Sequence, residues 1–239
     1  MLTNPLRTLL AITLLATTAA AASAQPAGPG SFSVTLKAAW DPTTGGVMHE
    51  GGSGTVLGLP TSVDEKPWSD THNQGFRLDA GIGFGVSERA EIVASFNYGT
   101  LGSELLQVGT VAGLPLLAKF EDYEYWGLEG GARFFLAQGG VTPYVTAVAG
   151  FRRVSELPGT FSVPQAGVTL ADTPFFESST VPTFGADFGV LFGPIGVEGG
   201  FRYAGGLTDD DSGFAGTGLE NLNDKGQRWS FPISVVVRF

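Results

Sequence analysis

Alternation with period two, repeated along most of the chain, constrains this sequence more than any other feature. Successive side chains of a strand point to opposite faces, so an alternating apolar and polar run marks a strand with one apolar face. The first run sets Phe32, Val34, Leu36, Ala38 and Trp40 against Ser33, Thr35, Lys37, Ala39 and Asp41. Runs of the same kind cover residues 76–86, 92–98, 125–136, 184–192, 195–203 and 229–239. One more, Tyr144 to Arg152, is apolar on both faces, and the pattern leaves its sides open. Eight strands are therefore predicted, most of them close to the roughly 9–11 residues that a tilted strand needs to cross a bilayer.

The connections discriminate further. Long ones (Pro42 to Asn73, Gly99 to Asp122, Ser155 to Pro182, Ala204 to Gln227) alternate with short ones (Ser87 to Ala90, Gln138 to Thr142, Gly193-Pro194). That rhythm predicts an all-β, up-and-down antiparallel β-barrel with both ends at the short-turn side. Bacterial outer-membrane barrels have short periplasmic turns and long extracellular loops. In a soluble sandwich, structureless connections well beyond about 12–15 residues would count against the assignment.

Charge placement indicates which face is wet. Lys37, Arg77, Arg133, Arg202 and Arg238, with Asp79, Glu129, Asp187 and Glu198, all fall on the polar faces of the runs. None falls mid-strand on an apolar face, where a charge in lipid would cost about 2–4 kcal/mol. Most strand glycines share that polar face, which suits a narrow lumen crowded by ion-paired side chains. Trp40, Tyr98, Trp126, Tyr203 and Trp229 sit at the long-connection ends of their runs on the apolar face, the arrangement of an interfacial aromatic girdle. The composition agrees: charged residues are 15%, against about 25% in an ordinary soluble domain. There are 36 Gly and 18 Phe, and no Cys, which excludes disulfides, thiolate metal sites and thioether lipid anchors. A net charge of −10 argues against nucleic acid as a partner. The acidic excess falls in the connections.

Residues 1–24 read as a signal peptide: Arg7, an apolar stretch from Leu9 to Leu15, then Ala22-Ser23-Ala24 before cleavage. A short linker, 25–30, and a barrel domain, 31–239, follow. The chain ends on an alternating run closed by Phe239, which resembles the closing-strand signal read by the outer-membrane insertion machinery. With the leader and the loop rhythm, including the strand opening Pro143-Tyr144-Val145, the sequence is similar to the small OmpA-like eight-stranded barrel family. The resemblance covers the barrel domain only, with no peptidoglycan-binding domain expected after Phe239. It implies outer-membrane lipid and lipopolysaccharide as surroundings and brings no catalytic motif.

Candidate chemistry is sparse. The balanced lumen charges read as a paired polar plug or as a gated pore. Asp209-Asp210-Asp211 with Glu220 resembles a calcium loop, but Gly213 and Phe214 stand where a ligand and the required glycine belong. A solvated acidic loop is the simpler reading, with divalent bridging to lipopolysaccharide open. His49 and His72 are the only histidines, and no nucleophile elbow or His-x-Ser pair is present. Gly81, Gly83 and Gly85 lack the helix that a phosphate loop needs. Apolar pieces at Leu105 to Leu117 and Val163 to Phe176 either pack over the barrel mouth or contact a partner. The expectation is a non-enzymatic structural or surface-interaction protein without cofactor or metal. A small porin is the alternative, and a lipid-modifying enzyme comes third.

Overall fold

The computed structural model describes residues 28–72, 74–223 and 225–239. The expected signal peptide over residues 1–24, and the first part of the expected linker, lie outside the described residues. Eight long strands follow the alternating runs: β1 (Phe32–Trp40), β2 (Gln74–Gly85), β3 (Ala90–Gly102), β4 (Tyr123–Phe135), β5 (Val141–Val154), β6 (Ser179–Phe192), β7 (Ile195–Ala204) and β8 (Arg228–Ser230 with Ile233–Arg238). Each pairs antiparallel with its sequence neighbour, and β8 returns to β1 with Leu36 opposite Val237 and Trp40 opposite Ile233. The chain is a closed eight-stranded barrel. Closure leaves these strands without a free edge.

Most strands run longer than the sequence reading, β6 by five residues at its start, and two differences bear on the lumen and the ladder. β3 begins at Ala90 instead of Ile92, which draws Glu91 into the barrel wall opposite Arg133. The last strand is interrupted at Phe231-Pro232, because proline has no N–H for the ladder. The sides of β5 are also decided: Tyr144, Thr146 and Arg152 are buried inside, while Val145 and Phe151 face out.

The long connections are not structureless. Three contain β-hairpins that continue the strands beyond the barrel mouth: Gly52–Val56 with Leu59–Val63, Leu106–Val111 with Leu114–Phe120, and Leu157–Val163 with Val168–Phe176. Side by side they form one six-stranded sheet. Their tips escaped the sequence reading because the first two turns are Leu57-Gly58 and Ala112-Gly113. All four residues have positive φ, between 49° and 82°, the geometry of a two-residue turn in which Asn or Asp usually precedes the glycine.

Together with the fourth connection these hairpins make a cap. Its core holds Met48, Trp68, Val108, Phe120 and Leu157, all 2% exposed or less. Phe120, Phe161, Phe175 and Phe214 interlock with ring centroids 5.0–6.3 Å apart, largely edge-to-face. The apolar pieces Leu105 to Leu117 and Val163 to Phe176 are therefore hairpin strands packed largely on one another.

Candidate functional site

Two features of the barrel result directly from its pleat. Outward side chains are apolar and exposed, with Ile82, Ile92, Phe188 and Ile233 each 55–58% accessible. Around the cap end of this surface lie Trp40, Tyr98, Trp126, Tyr203 and Trp229, with Tyr98 opposite Trp126 and Tyr203 opposite Trp229 in register. Inward side chains are charged and paired. Lys37 Nζ donates to Glu198 Oε1 at 2.5 Å and lies 3.7 Å from Asp187. Arg77 Nη2 donates to Asp79 at 2.5 Å and to Glu129 at 2.9 Å. Arg202 reaches Asp187 at 2.5 Å and Glu129 at 3.4 Å. Nearer the short turns, Glu91 accepts from Arg238 and lies 3.4 Å from Arg133.

All nine charges singled out in the sequence face the lumen. Four further partners complete the set. Glu91 was hidden by the late start assigned to its strand. Arg152, stacked 3.7 Å over the Tyr125 ring, was hidden by the apolar character of its run. Asp41 and Arg228, 3.1 Å apart, lie at the ends of runs that face the cap. The free space enclosed by Lys37, Asp79, Glu129 and Arg202 is about 30 Å³, room for one or two waters. Glycine makes this filling feasible: a Cβ at Gly99 or Gly189 would lie 2.4 or 2.3 Å from the inward rings of Tyr125 and Tyr144.

The cap contains a different site. One face of the six-stranded sheet is apolar, and the fourth connection folds over part of it. That segment is held by Thr55 N–H donating to the Thr217 carbonyl (2.7 Å) and Glu50 N–H to that of Leu222 (2.6 Å). Between sheet and cover runs a cleft of about 120 Å³. Val63, Val111, Leu116, Phe161 and Val163 form its floor and Leu219 part of its cover, all at most 9% exposed. Leu57, Leu59, Val168 and Leu170 form an exposed rim at the hairpin tips. No charged side chain lines it, and its polar side chains are the hydroxyls of Thr61, Ser162 and Thr217.

Neither histidine is placed for catalysis. His72 is fully buried, its Nδ1 3.1 Å from the Thr71 hydroxyl and its Nε2 2.9 Å from the Glu121 carbonyl. His49 is likewise buried, with Nδ1 3.2 Å from the Glu50 carbonyl. Burial pushes both down to about 4. Among the described residues no group of three potential ligands is positioned to hold a metal. Within the acidic cluster, Asp210 accepts from the Ser212 N–H and hydroxyl, while Asp209 bridges to Phe176 through the backbone. Glu220 accepts from the Gly218 N–H.

No protein-family model matches the chain, and no curated protein matches it by sequence. Its neighbours among solved structures are small eight-stranded outer-membrane barrels. Neisserial surface protein A is 17% identical, with 87% of this chain and 95% of that one covered and a TM-score of 0.42. Ail, the attachment invasion locus protein of Yersinia pestis, is 15% identical over 88% and 99%, with a TM-score of 0.41. The N-terminal β-barrel domain of Pseudomonas aeruginosa OprF is 12% identical over 87% and 97%, with a TM-score of 0.39.

Proposed function

We propose that this chain is a non-enzymatic outer-membrane protein of a bacterial cell, in which the barrel anchors the β-structured cap at the cell surface. One observation supports this reading above the rest: the wall is inside out for a soluble protein. Apolar side chains cover the exterior while ion pairs fill the interior, an arrangement stable only where the exterior meets hydrocarbon. The five outward aromatics support an outer interface at the cap end, in keeping with a barrel surrounded by outer-membrane lipid and lipopolysaccharide. Phe239 and the alternating strand before it serve as the signal to the insertion machinery. The filled lumen favours an anchor over a porin, and the cap presents the surface for interaction. The test is migration of detergent-purified protein with and without boiling, followed by planar-bilayer recordings. A folded form that shifts on boiling and shows no stable large conductance supports the anchor. An unshifted band overturns the membrane barrel, and a stable open conductance overturns the plugged lumen.

A further inference from the structure

The ion pairs of the lumen leave one cation over. With Glu91, Asp41, Arg152 and Arg228 added to the nine charges first assigned to the lumen, seven cations face six carboxylates among the described residues. Six of the cations lie against a carboxylate, and Arg152 does not. Arg152 is 1% exposed, and a guanidinium cannot shed its proton to escape burial. The Tyr125 ring covers one face of its plane, with the charge centre 3.7 Å from the ring centroid. That contact leaves the N–H groups along the edges of the plane, where Nε and Nη2 have no partner. These two lie side by side on one edge, the fork with which Arg binds an anion through two parallel hydrogen bonds. Arg77 uses the same edge in the same lumen, with Nε and Nη2 both on Asp79.

Other unpaired donors share this stretch of wall. Arg152 stands opposite Gly127, and Gly127 opposite Asn97, so a bare glycine separates two inward side chains. Asn97 is 1% exposed, and its amide nitrogen has no partner. Thr183, 3% exposed with an unpaired hydroxyl, faces Gly150 on β5, two residues before Arg152. Diagonal neighbours of this kind lie about 7–8 Å apart, close enough for one ion to be shared between their side chains. Arg77 Nη1 and Arg228 Nη1 are unpaired as well. Against these donors stand two unpaired acceptors, Asp41 Oδ1 and Asn97 Oδ1. The charge of Asp41 reaches Arg152, but its carboxylate is engaged with Arg228 at 3.1 Å and with the Tyr125 hydroxyl at 3.5 Å.

Charge fixes the valence of the guest. Asp41 balances Arg228, and the surplus positive charge of Arg152 is neutralised by a single negative one. A dianion would leave a buried excess of the opposite sign. We propose that the lumen wall beneath the cap holds a monovalent anion about the size of chloride on the Nε and Nη2 edge of Arg152, with Asn97 and Thr183 donating alongside. The site belongs to the barrel interior and is independent of what the cap meets at the cell surface.

The experiment uses the full protein folded in detergent and unfolded by urea at constant ionic strength, while bromide replaces gluconate, an anion too large for the site. With one site filled only in the folded state, the folded-to-unfolded ratio should rise up to about tenfold for each tenfold rise in bromide above the dissociation constant. Sulfate should give no such rise. Arg152→Met, which keeps cover over Tyr125 without the charge, should abolish it. Arg152→Lys, which keeps the charge but not the fork, should need at least about tenfold more bromide for the same gain. In wild-type crystals grown with bromide, an anomalous peak should lie within hydrogen-bonding distance of Arg152 Nε and Nη2. The proposal is overturned if Arg152→Met responds to bromide as the wild type does or if sulfate stabilises as strongly. It is equally overturned if the anomalous map shows only water, or a turned Asp41, at that edge. Should Arg152→Met not fold, Arg152→Lys and the anomalous map decide. Failure of the wild-type chain to fold in detergent counts against the barrel instead.

Discussion

Replacing Glu91 by glutamine isolates the ion-paired lumen in a single change. The carboxylate is fully buried, accepts from Arg238 and lies 3.4 Å from Arg133, and it is the acidic partner of both. The guanidinium groups are nearly as deeply buried, with side chains 2% and 5% exposed. An amide keeps the shape but removes the charge, leaving two buried cations facing each other with no other ion-pair partner among the described residues. An ion pair at about 4 Å is worth roughly 4 kcal/mol at an effective dielectric near 20. Breaking a buried pair typically costs about 3–5 kcal/mol. The expected loss is in that range, read from urea unfolding in lipid vesicles by tryptophan fluorescence. Asp79→Asn is the internal comparison, because Arg77 still has Glu129 at 2.9 Å. Its loss should be about 1–3 kcal/mol, because the amide keeps one acceptor oxygen for the bidentate approach of Arg77 Nε and Nη2 and only the charge and the second oxygen are lost. A double-mutant cycle of Glu91→Gln with Arg133→Gln should show coupling above about 1 kcal/mol. If Glu91→Gln costs under 1 kcal/mol, or no more than Asp79→Asn, counter-ion pairing does not stabilise this lumen.

Gly189→Ala would place a Cβ 2.3 Å from the Tyr144 ring, and the overpacking should cost about 1–3 kcal/mol in the same unfolding assay. Leu128→Arg puts a charge on the exposed apolar exterior and should cost about 2–4 kcal/mol in lipid, with little effect in a zwitterionic detergent micelle that rearranges around it. The cap should weaken in acid before the barrel does. His49 faces Asp64 and Lys66, and His72 faces Asp122 and Arg228, yet burial lowers both to about 4 from an ordinary value of 6.5. A base whose folded value is depressed disfavours the proton in the folded state. Cap stability is therefore intact above pH 6.5 and falls by a few kcal/mol as pH drops towards 4. Amide exchange at pH 7 and pH 4.5, corrected for intrinsic rates, should show lost protection in the cap hairpins and retained protection in β2 to β6. Uniform loss would count against it.

Much of the barrel is legible in the sequence because the signal is local. Alternation assigns a face to every residue of a run, so Lys37, Arg77 or Glu198 needs no partner to be placed inside, and Trp126 or Trp229 none to be placed outside. Where the signal fails, the cause is specific. β5 has valines on both faces, Val145 outward and Val148 and Val154 inward, which conceals Arg152. Glu91 is the second residue of its strand, directly after a turn rich in charge and small residues. The hairpin tips at Leu57-Gly58 and Ala112-Gly113 use residues that do not advertise a turn.

The period-two pattern was thus enough to specify the eight barrel strands and, for all but β5, which residues face the lumen and the exterior, since a pleat dictates them residue by residue. Pairing was not. Which carboxylate meets which guanidinium depends on the register and on closure of β8 against β1, which bring Arg238 to Glu91 across 147 positions of sequence. The cap and its cleft depend on tertiary structure entirely. Three hairpins from separate connections must lie side by side before their apolar faces form one surface, and that surface becomes a cleft only when the fourth connection covers part of it.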